Sequence, residues 1–385
     1  MVKRKVNKND VKIQSNHYLV GIDIGGSHIS CALVDTLSGK IISERNVEKI
    51  NPQGSISDLL CICERLFAAL PLFDSHTQKK YIGVAMPGPF DYKNGISKIA
   101  GVQKFDAIFG LNLKQSLLQM LDGRVADVVF ENDATCFALG EYFSGAAKNS
   151  SRSLIITMGT GFGSTFLIDD HPQVKAGNTV PENGYLYNIP FGKSIANDYF
   201  STSWFVEQWK TKTNKNIQGV KEIATLAMQY DATALSIFET FACNLAAFIF
   251  PWLVKFSPDV FVLGGNIAKA APLYLNTLKN KLQEAGWDNS RITTCELWDD
   301  APIIGAAIKA GKSIVVKNKM LRKTTQFLAP PKAVSTDKGR YDIYPAFPLG
   351  SGKIHEGSAP LAAWIAQWRT VVIDGYEGVL WNKLV

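Results

Sequence analysis

The chain has 385 residues, 46% of them apolar, and a formal net charge of +7 from 41 Lys and Arg against 34 Asp and Glu. That length predicts two or three domains with a sizeable core, and the ordinary apolar content excludes a disordered, highly charged chain. The basic excess gathers at residues 3–12 and 309–323 without interleaved aromatics, so it reads as solvated ends and excludes a base-stacking nucleic-acid surface.

In chain order, residues 1–16 are polar and basic and lack the apolar segment of a secretion signal. A strand over 18–24 turns at Gly25-Gly26-Ser27 into a second strand over 28–35. A third over 39–50 completes an antiparallel meander. Pro52 and Gly54 break it. Apolar residues at helical spacing follow over 56–70 and end at Pro71. The strand 81–86 stops at Pro87-Gly88-Pro89. A short strand over 96–100 and a helix over 113–121 precede the strand 126–131.

That strand runs into Asp133, and an amphipathic helix begins at once, over 134–147. A carboxylate at such a junction either caps the helix or faces a ligand. Taken alone, capping is the commoner reason.

After a loose linker at 145–151 the opening pattern returns. A strand over 153–158, the turn Gly159-Thr160-Gly161-Phe162-Gly163 and a strand over 164–169 repeat the arrangement at 18–35, which suggests an internal duplication. The chain is then mostly helical to 256. Its longest apolar stretch, 238–254, contains Glu239, Asn244 and Pro251 and reads as a buried helix, since no apolar run is long enough to span a bilayer. A strand over 260–263 closes at Gly264-Gly265-Asn266. A helix, a strand near 291–296 and a small-residue helix over 302–310 complete the pattern. Residues 328–340 read as a linker, and 341–385 as a short separate piece rich in Tyr and Trp.

Neither Gly turn is a dinucleotide fingerprint, because a strand and not a helix follows it. Gly192-Lys193-Ser194 ends like a P-loop but has Tyr187 in place of the first Gly, and Gly350-Ser351-Gly352-Lys353 has Phe347 there and Ile354 in place of the Ser or Thr. What fits is a β-hairpin clamp, in which backbone N–H groups close on an anion where no Cβ intervenes. Asp23, just before the first Gly pair, suits Mg²⁺ directly or through water. One such turn is explained as a tight hairpin. Two at duplicated positions, with Asp23 and Asp133, point to a polyphosphate gripped from both sides. Six cysteines in apolar or helical contexts and five unspaced histidines give no zinc site.

Gly21-Ile22-Asp23-Ile24-Gly25-Gly26-Ser27, Val84-Ala85-Met86-Pro87-Gly88, Glu131-Asn132-Asp133-Ala134, Gly159-Thr160-Gly161-Phe162-Gly163 and Val262-Leu263-Gly264-Gly265-Asn266 together resemble the ROK (repressor, open reading frame, kinase) family of the sugar kinase and actin-like ATPase superfamily. The resemblance covers residues 19–310. It implies an α/β fold of two duplicated ribonuclease H-like lobes around a hinged cleft. These would be 17–133, with a returning helix at 302–320, and 134–301.

It further implies ATP-dependent, Mg²⁺-requiring phosphorylation of a hexose or hexosamine, glucose-like before N-acetylated. Asp133 would be the general base. Asn132 and Gly88 would contact the sugar. Gly25, Gly26, Ser27, Thr160, Gly161 and Gly163 would line the phosphates, and Gly264, Gly265 and Asn266 would lie near the adenosine. The expected partner is a small-molecule sugar, with a homodimer compatible with the resemblance and no nucleic-acid or membrane partner. The expected location is the cytoplasm.

The chain departs from the family pattern where Tyr185 replaces a Glu and Asn188 replaces a His ahead of an absent cysteine-rich zinc loop. Asn188 and Glu182 are then the candidates for the lost hydroxyl contacts. Loss of catalysis, leaving a sugar-responsive regulator, and a sugar-independent ATPase are the alternatives.

Overall fold

The computed structural model describes residues 17–70, 80–101 and 105–320. The basic N-terminus 1–16, the linker 328–340 and the extension 341–385 lie outside the described residues. Strands β1 (Tyr18–Ile24) and β2 (His28–Asp35) pair antiparallel in an unbroken register from Tyr18↔Asp35 to Ile24↔Ile29, so Gly25-Gly26-Ser27 is a hairpin tip. The third strand expected over 39–50 is divided into β3 (Lys40–Ile41) and β4 (Asn46–Lys49), both paired with β2. Between the pairs Val34↔Ile41 and Cys31↔Asn46, β2 advances three residues and its partner five. The two extra residues bulge out, and Ser43 Oγ takes the Leu33 amide at 2.9 Å.

Helix α1 (Ile56–Ala68) starts at a capping box between Ser55 and Asp58 and buries Leu59, Ile62, Cys63, Leu66 and Phe67. Strand β5 (Lys80–Met86) lies parallel to β1. A small hairpin of β6 (Phe90–Asp91) and β7 (Ile96–Ser97) replaces the longer strand expected over 96–100. After α2 (Leu113–Met120), β8 (Val125–Asn132) lies parallel to β5. The sheet order is β3-β2-β1-β5-β8, with β4 also on β2.

Helix α3 (Asp133–Ser144) leads from this sheet into a second. There β9 (Arg152–Met158) pairs antiparallel with β10 (Phe162–Ile168), and β11 (His171–Pro172) follows on β10. A small hairpin, β12 (Pro190–Phe191) and β13 (Ser194–Ile195), precedes helices α4 (Ala196–Tyr199), α5 (Thr202–Thr213), α6 (Val220–Met228) and α7 (Ala232–Phe256). Strand β14 (Val260–Gly264), a 3₁₀ segment Asn266–Leu273 containing Pro272, α8 (Leu275–Glu284) and β15 (Ile292–Thr294) complete the lobe.

The order is β11-β10-β9-β14-β15, with β14 parallel to both β9 and β15. An antiparallel hairpin followed by two parallel strands thus occurs twice in the same order, and the duplication expected from the Gly turns is present in the topology. The 25 residues of α7 are long and apolar enough to cross a bilayer, contrary to the expectation that no run is. The helix instead buries Phe238, Phe241, Leu245, Ile249, Leu253 and Phe256 in the core of the second lobe.

Helix α9 (Ala301–Met320) follows β15 and returns to the first sheet, packing Ile303, Ile304, Ala307 and Ile308 against Leu19, Ala32 and Val34. Glycines set the depth of this packing. A Cβ on Gly83 would overlap the Ala306 carbonyl, and one on Gly305 would overlap the Cys136 carbonyl of α3. Two lysines assigned to a solvated basic end belong to this helix. Lys309 Nζ lies 2.5 Å from Glu131 Oε2, and Lys312 Nζ lies 2.8 Å from Asp170 Oδ2, each side chain about one-third exposed (33% and 32%).

Candidate active site

Strand β8 passes into α3 with no intervening loop. Asn132, and not Asp133, is the N-cap: its Oδ1 accepts from the Thr135 amide at 3.2 Å. Asn132 Nδ2 donates to Tyr92 Oη and to Asp133 Oδ1, both at 3.1 Å. Asp133 Oδ1 also accepts from the Ala134 amide at 2.9 Å. Both of these bonds go to Oδ1; Oδ2 accepts none from any other described residue. The capping role is therefore filled by its neighbour, and Asp133 keeps one oxygen in reserve.

Register places the surrounding groups. Asp23 pairs with Ala85, and Ala85 with Glu131, so the three stand abreast on β1, β5 and β8. At strand spacing, Asp23 and Glu131 are then about 10 Å apart. Asp23 lies on the same face as Gly21, where α9 packs.

Burial, and next the charge of Asp133, push the Asp23 carboxyl up to about 7, with Asp299 adding to the rise and Arg45 opposing it. Burial also raises Asp133 above the usual carboxylate range, more than the bonds from Ala134 and Asn132 lower it. Desolvation outweighs those bonds.

Both Gly turns are hairpin tips. Gly25 N donates to His28 O and Gly159 N to Gly161 O, each at 3.0 Å. The second tip is braced from behind: Thr202 donates its amide (2.7 Å) and Oγ1 (2.9 Å) to Gly159 O, and Asn197 Oδ1 accepts from Phe162 N at 3.1 Å. Ser27, Thr160 and Gly161 are exposed. Gly265, at φ 78°, packs against the Met158 backbone, and a Cβ on Gly159 would lie 3.9 Å from Asn266 N. The turns 159–161 and 264–266 are thus adjacent.

Gly163 also has a packing role. A Cβ there would crowd Ala134 and Thr157, so its absence lets the first turn of α3 approach the second hairpin. Gly88 leans on Tyr92, whose hydroxyl would lie 3.2 Å from a Cβ at that position. Gly88, Asn132 and Asp133 are therefore linked through Tyr92. Glu182 and Asn188 are both exposed, and their side chains make no hydrogen bond or ion pair among the described residues. Burial, and next the Glu131 charge, push the Tyr185 hydroxyl up to about 12, with Tyr187 and Asp133 adding to the rise.

Tyr92, Arg45, Lys309 and Asn197 were not legible as site residues. Arg45 sits in the bulge after β3, 3.2 Å from Asp300 Oδ1 and 3.9 Å from Asp299 Oδ2. The bulge could have been suspected only from the register it breaks.

The ROK family model matches residues 19–312. The chain belongs to the ROK family. A glucokinase from Thermotoga maritima is 24% identical over 75% of this chain and 96% of its own length. A xylose repressor from Bacillus subtilis is also 24% identical, over 75% of each. The crystal structure of a Streptomyces griseus ROK glucokinase with glucose and AMPPNP superposes with a TM-score of 0.61 at 23% identity, covering 77% of this chain and 99% of that one. In this ROK chain, then, the two sheets are the lobes of the actin-like ATPase fold.

Proposed function

We propose that the protein is an ATP-dependent sugar kinase in which Asp133 is the general base. The observation that carries this is the free Oδ2 of Asp133, left open because Asn132 caps α3. A sugar hydroxyl donates to that oxygen. As the proton passes to Asp133, the hydroxyl oxygen forms a bond to the γ-phosphorus, the bond from that phosphorus to the β,γ-bridging oxygen breaks, and ADP leaves. A base so placed is worth about 10²–10⁴-fold. Its raised pKa helps, because a base nearer to working pH accepts the proton more readily.

The Gly25-Gly26-Ser27 and Gly159-Thr160-Gly161 tips offer backbone N–H groups to the phosphates from the two lobes. Gly264, Gly265 and Asn266, against the second tip, suit the adenosine side. Asp23 fits Mg²⁺: it is a hard oxygen donor whose ionisation is opposed by Asp133 and Asp299, so a cation there relieves the repulsion. When bound, Mg²⁺ neutralises phosphate charge. The acceptor is a hexose or hexosamine; glucose is the first choice and an N-acetylhexosamine the second.

The family also holds repressors, so sugar binding without turnover is the competing reading. Coupled ADP release over a panel of sugars separates the two, run on wild type and Asp133→Asn. Turnover by the wild type and a loss of at least about 100-fold in the variant are expected. Retained turnover in Asp133→Asn removes the base; sugar binding with no turnover in the wild type gives the regulator.

A further inference from the structure

We propose that Tyr92 is a positioning residue for phosphoryl transfer: its hydroxyl sets the Asn132 amide, and that amide turns Asp133 so that Oδ2 meets the acceptor. The inference rests on the kinase reading of Asp133. Tyr92 is placed by its own hairpin. Asp91 accepts from the Asn94 amide at 3.1 Å and from Asn94 Nδ2 at 2.9 Å, and Gly95 N donates to Asp91 O at 2.7 Å. These bonds turn the chain back between β6 and β7. The Tyr92 ring centroid lies 5.3 Å from that of Phe90, which stacks at 5.0 Å on Phe130 of β8. Gly88 leaves room for the hydroxyl, since a Cβ there would stand 3.2 Å from it. The hydroxyl therefore arrives at the ends of β5 and β8, where Met86 and Asn132 are register partners.

Tyr92 Oη donates to Met86 O at 3.2 Å. A phenol has one proton, so toward Asn132 its oxygen can only accept, and Nδ2 donates to it at 3.1 Å. Burial pushes the phenol well above its ordinary range, so that proton stays in place. The Asn132 amide is thereby held one way round. Its Oδ1 takes the Thr135 amide, and the two protons of Nδ2 go to Tyr92 Oη and Asp133 Oδ1.

The cap bond fixes Oδ1 alone. The hydroxyl fixes the plane of the amide, and with it the direction in which Nδ2 points. Asp133 then receives Asn132 and Ala134 on the same oxygen, which leaves Oδ2 for the acceptor. Without the hydroxyl the amide can turn, the carboxylate loses one of its two donors, and its open oxygen is no longer aimed. A misaimed base costs rate more than binding.

The test is a double-mutant cycle on the full chain: wild type, Tyr92→Phe, Asn132→Ser and the double variant. ADP release is measured with ATP and the sugar turned over best in the panel. Tyr92→Phe keeps the ring on Phe90 and removes only the hydroxyl. Asn132→Ser keeps a cap for α3 and removes Nδ2. In Tyr92→Phe, kcat is expected to fall about five- to tenfold, the worth of one hydrogen bond, with KM for ATP unchanged. In the Asn132→Ser background the same change should cost nothing further. An equal loss in both backgrounds, or none in either, overturns the inference.

If no sugar is turned over, the kinase reading fails by itself, and a carbon-13 NMR titration of Asp133 in chelator decides. Loss of the Asn132 donor disfavours the charged carboxylate. The Asp133 titration should therefore move up by about half a pH unit to one in Tyr92→Phe, and should not move in the Asn132→Ser background. Asp23, Cys136 and Tyr185, on which the Asp133 charge also acts, are the same in all four proteins. No move, or an equal move in both backgrounds, ends the positioning role.

Discussion

Asp23 holds its place at a cost in stability that Asp23→Asn should recover. Its carboxyl titrates at about 7 in the folded chain against an ordinary 3.8. A carboxyl with a raised folded value binds its proton more tightly in the native state. The native state is therefore favoured below the unfolded value, and loses that advantage as pH climbs through the folded one. Three pH units at 1.36 kcal/mol each give a ceiling of about 4 kcal/mol at pH 8. The Asp23 side chain is only half-buried, so water reduces this, and about 2 kcal/mol is the working figure.

The amide introduced by Asp23→Asn carries no charge at any pH. Thermal melts in chelator from pH 5 to 8 should therefore show wild type losing stability as pH rises. The variant should lose less, and at pH 8 it should melt about 4 °C higher, at about 2 °C per kcal/mol for a chain of this size. Some slope persists in the variant, because burial raises Asp133 as well. A variant that follows the wild-type slope, or melts lower at pH 8, would show that neither burial nor Asp133 acts on this carboxyl as argued. Turnover should be lost in the same variant, the usual exchange between stability and function.

Four further outcomes are expected. Asn132→Ala should cost about 1 kcal/mol by removing the cap of α3, and Asp133→Ala should cost less; the reverse order in denaturant unfolding would return Asp133 to capping. Gly305→Ala, forced against the Cys136 carbonyl, should lose about 1–3 kcal/mol in the same assay, and no loss would mean that α3 and α9 are free to separate. Lys309→Met leaves Glu131, 17% exposed, without its cation; about 1–2 kcal/mol should be lost and partly regained in the double variant with Glu131→Gln. The kcat/KM profile should fall as pH is lowered through an inflection above 3.8, the ordinary carboxylate value, because burial raises Asp133.

Much of this architecture is local and was legible. Tyr18–Ile24 and His28–Asp35 announce themselves by β-rich composition on either side of a Gly turn, and the repeat at β9 and β10 does the same. What eluded the reading depends on partners far along the chain. The strand over 39–50 reads as continuous until it is counted against β2. Lys309 looks like one of a run of surface lysines until α9 is laid over Glu131. Gly83 and Gly305 look like ordinary strand and helix glycines, since nothing nearby reveals the carbonyls they approach. Asp133 was legible as a residue and ambiguous as a role, because only the folded chain shows that the preceding Asn has taken the cap.

Those long-range contacts decide where Asp133 stands. Helices α3 and α9 both join the two sheets, one leading out of the first and the other leading back to it. They cross with Gly140 against the Ala301 carbonyl and Gly305 against that of Cys136. Just beyond, the fully buried Glu141 accepts from Ala146 N (2.8 Å), Glu296 N (3.1 Å) and Leu297 N (2.9 Å), tying the end of α3 to the approach of α9. At the other end of α3, Ala134 rests on Gly163 of the second hairpin. Asp133 is therefore held by packing from both lobes and by no surface loop. On the proposed kinase reading, this close-packed crossing is the expected pivot for a closing motion of the lobes. On the same reading, closure would carry the Gly tips toward an Asp133 that stays nearly still, which is the cheaper way to reach a near-attack geometry.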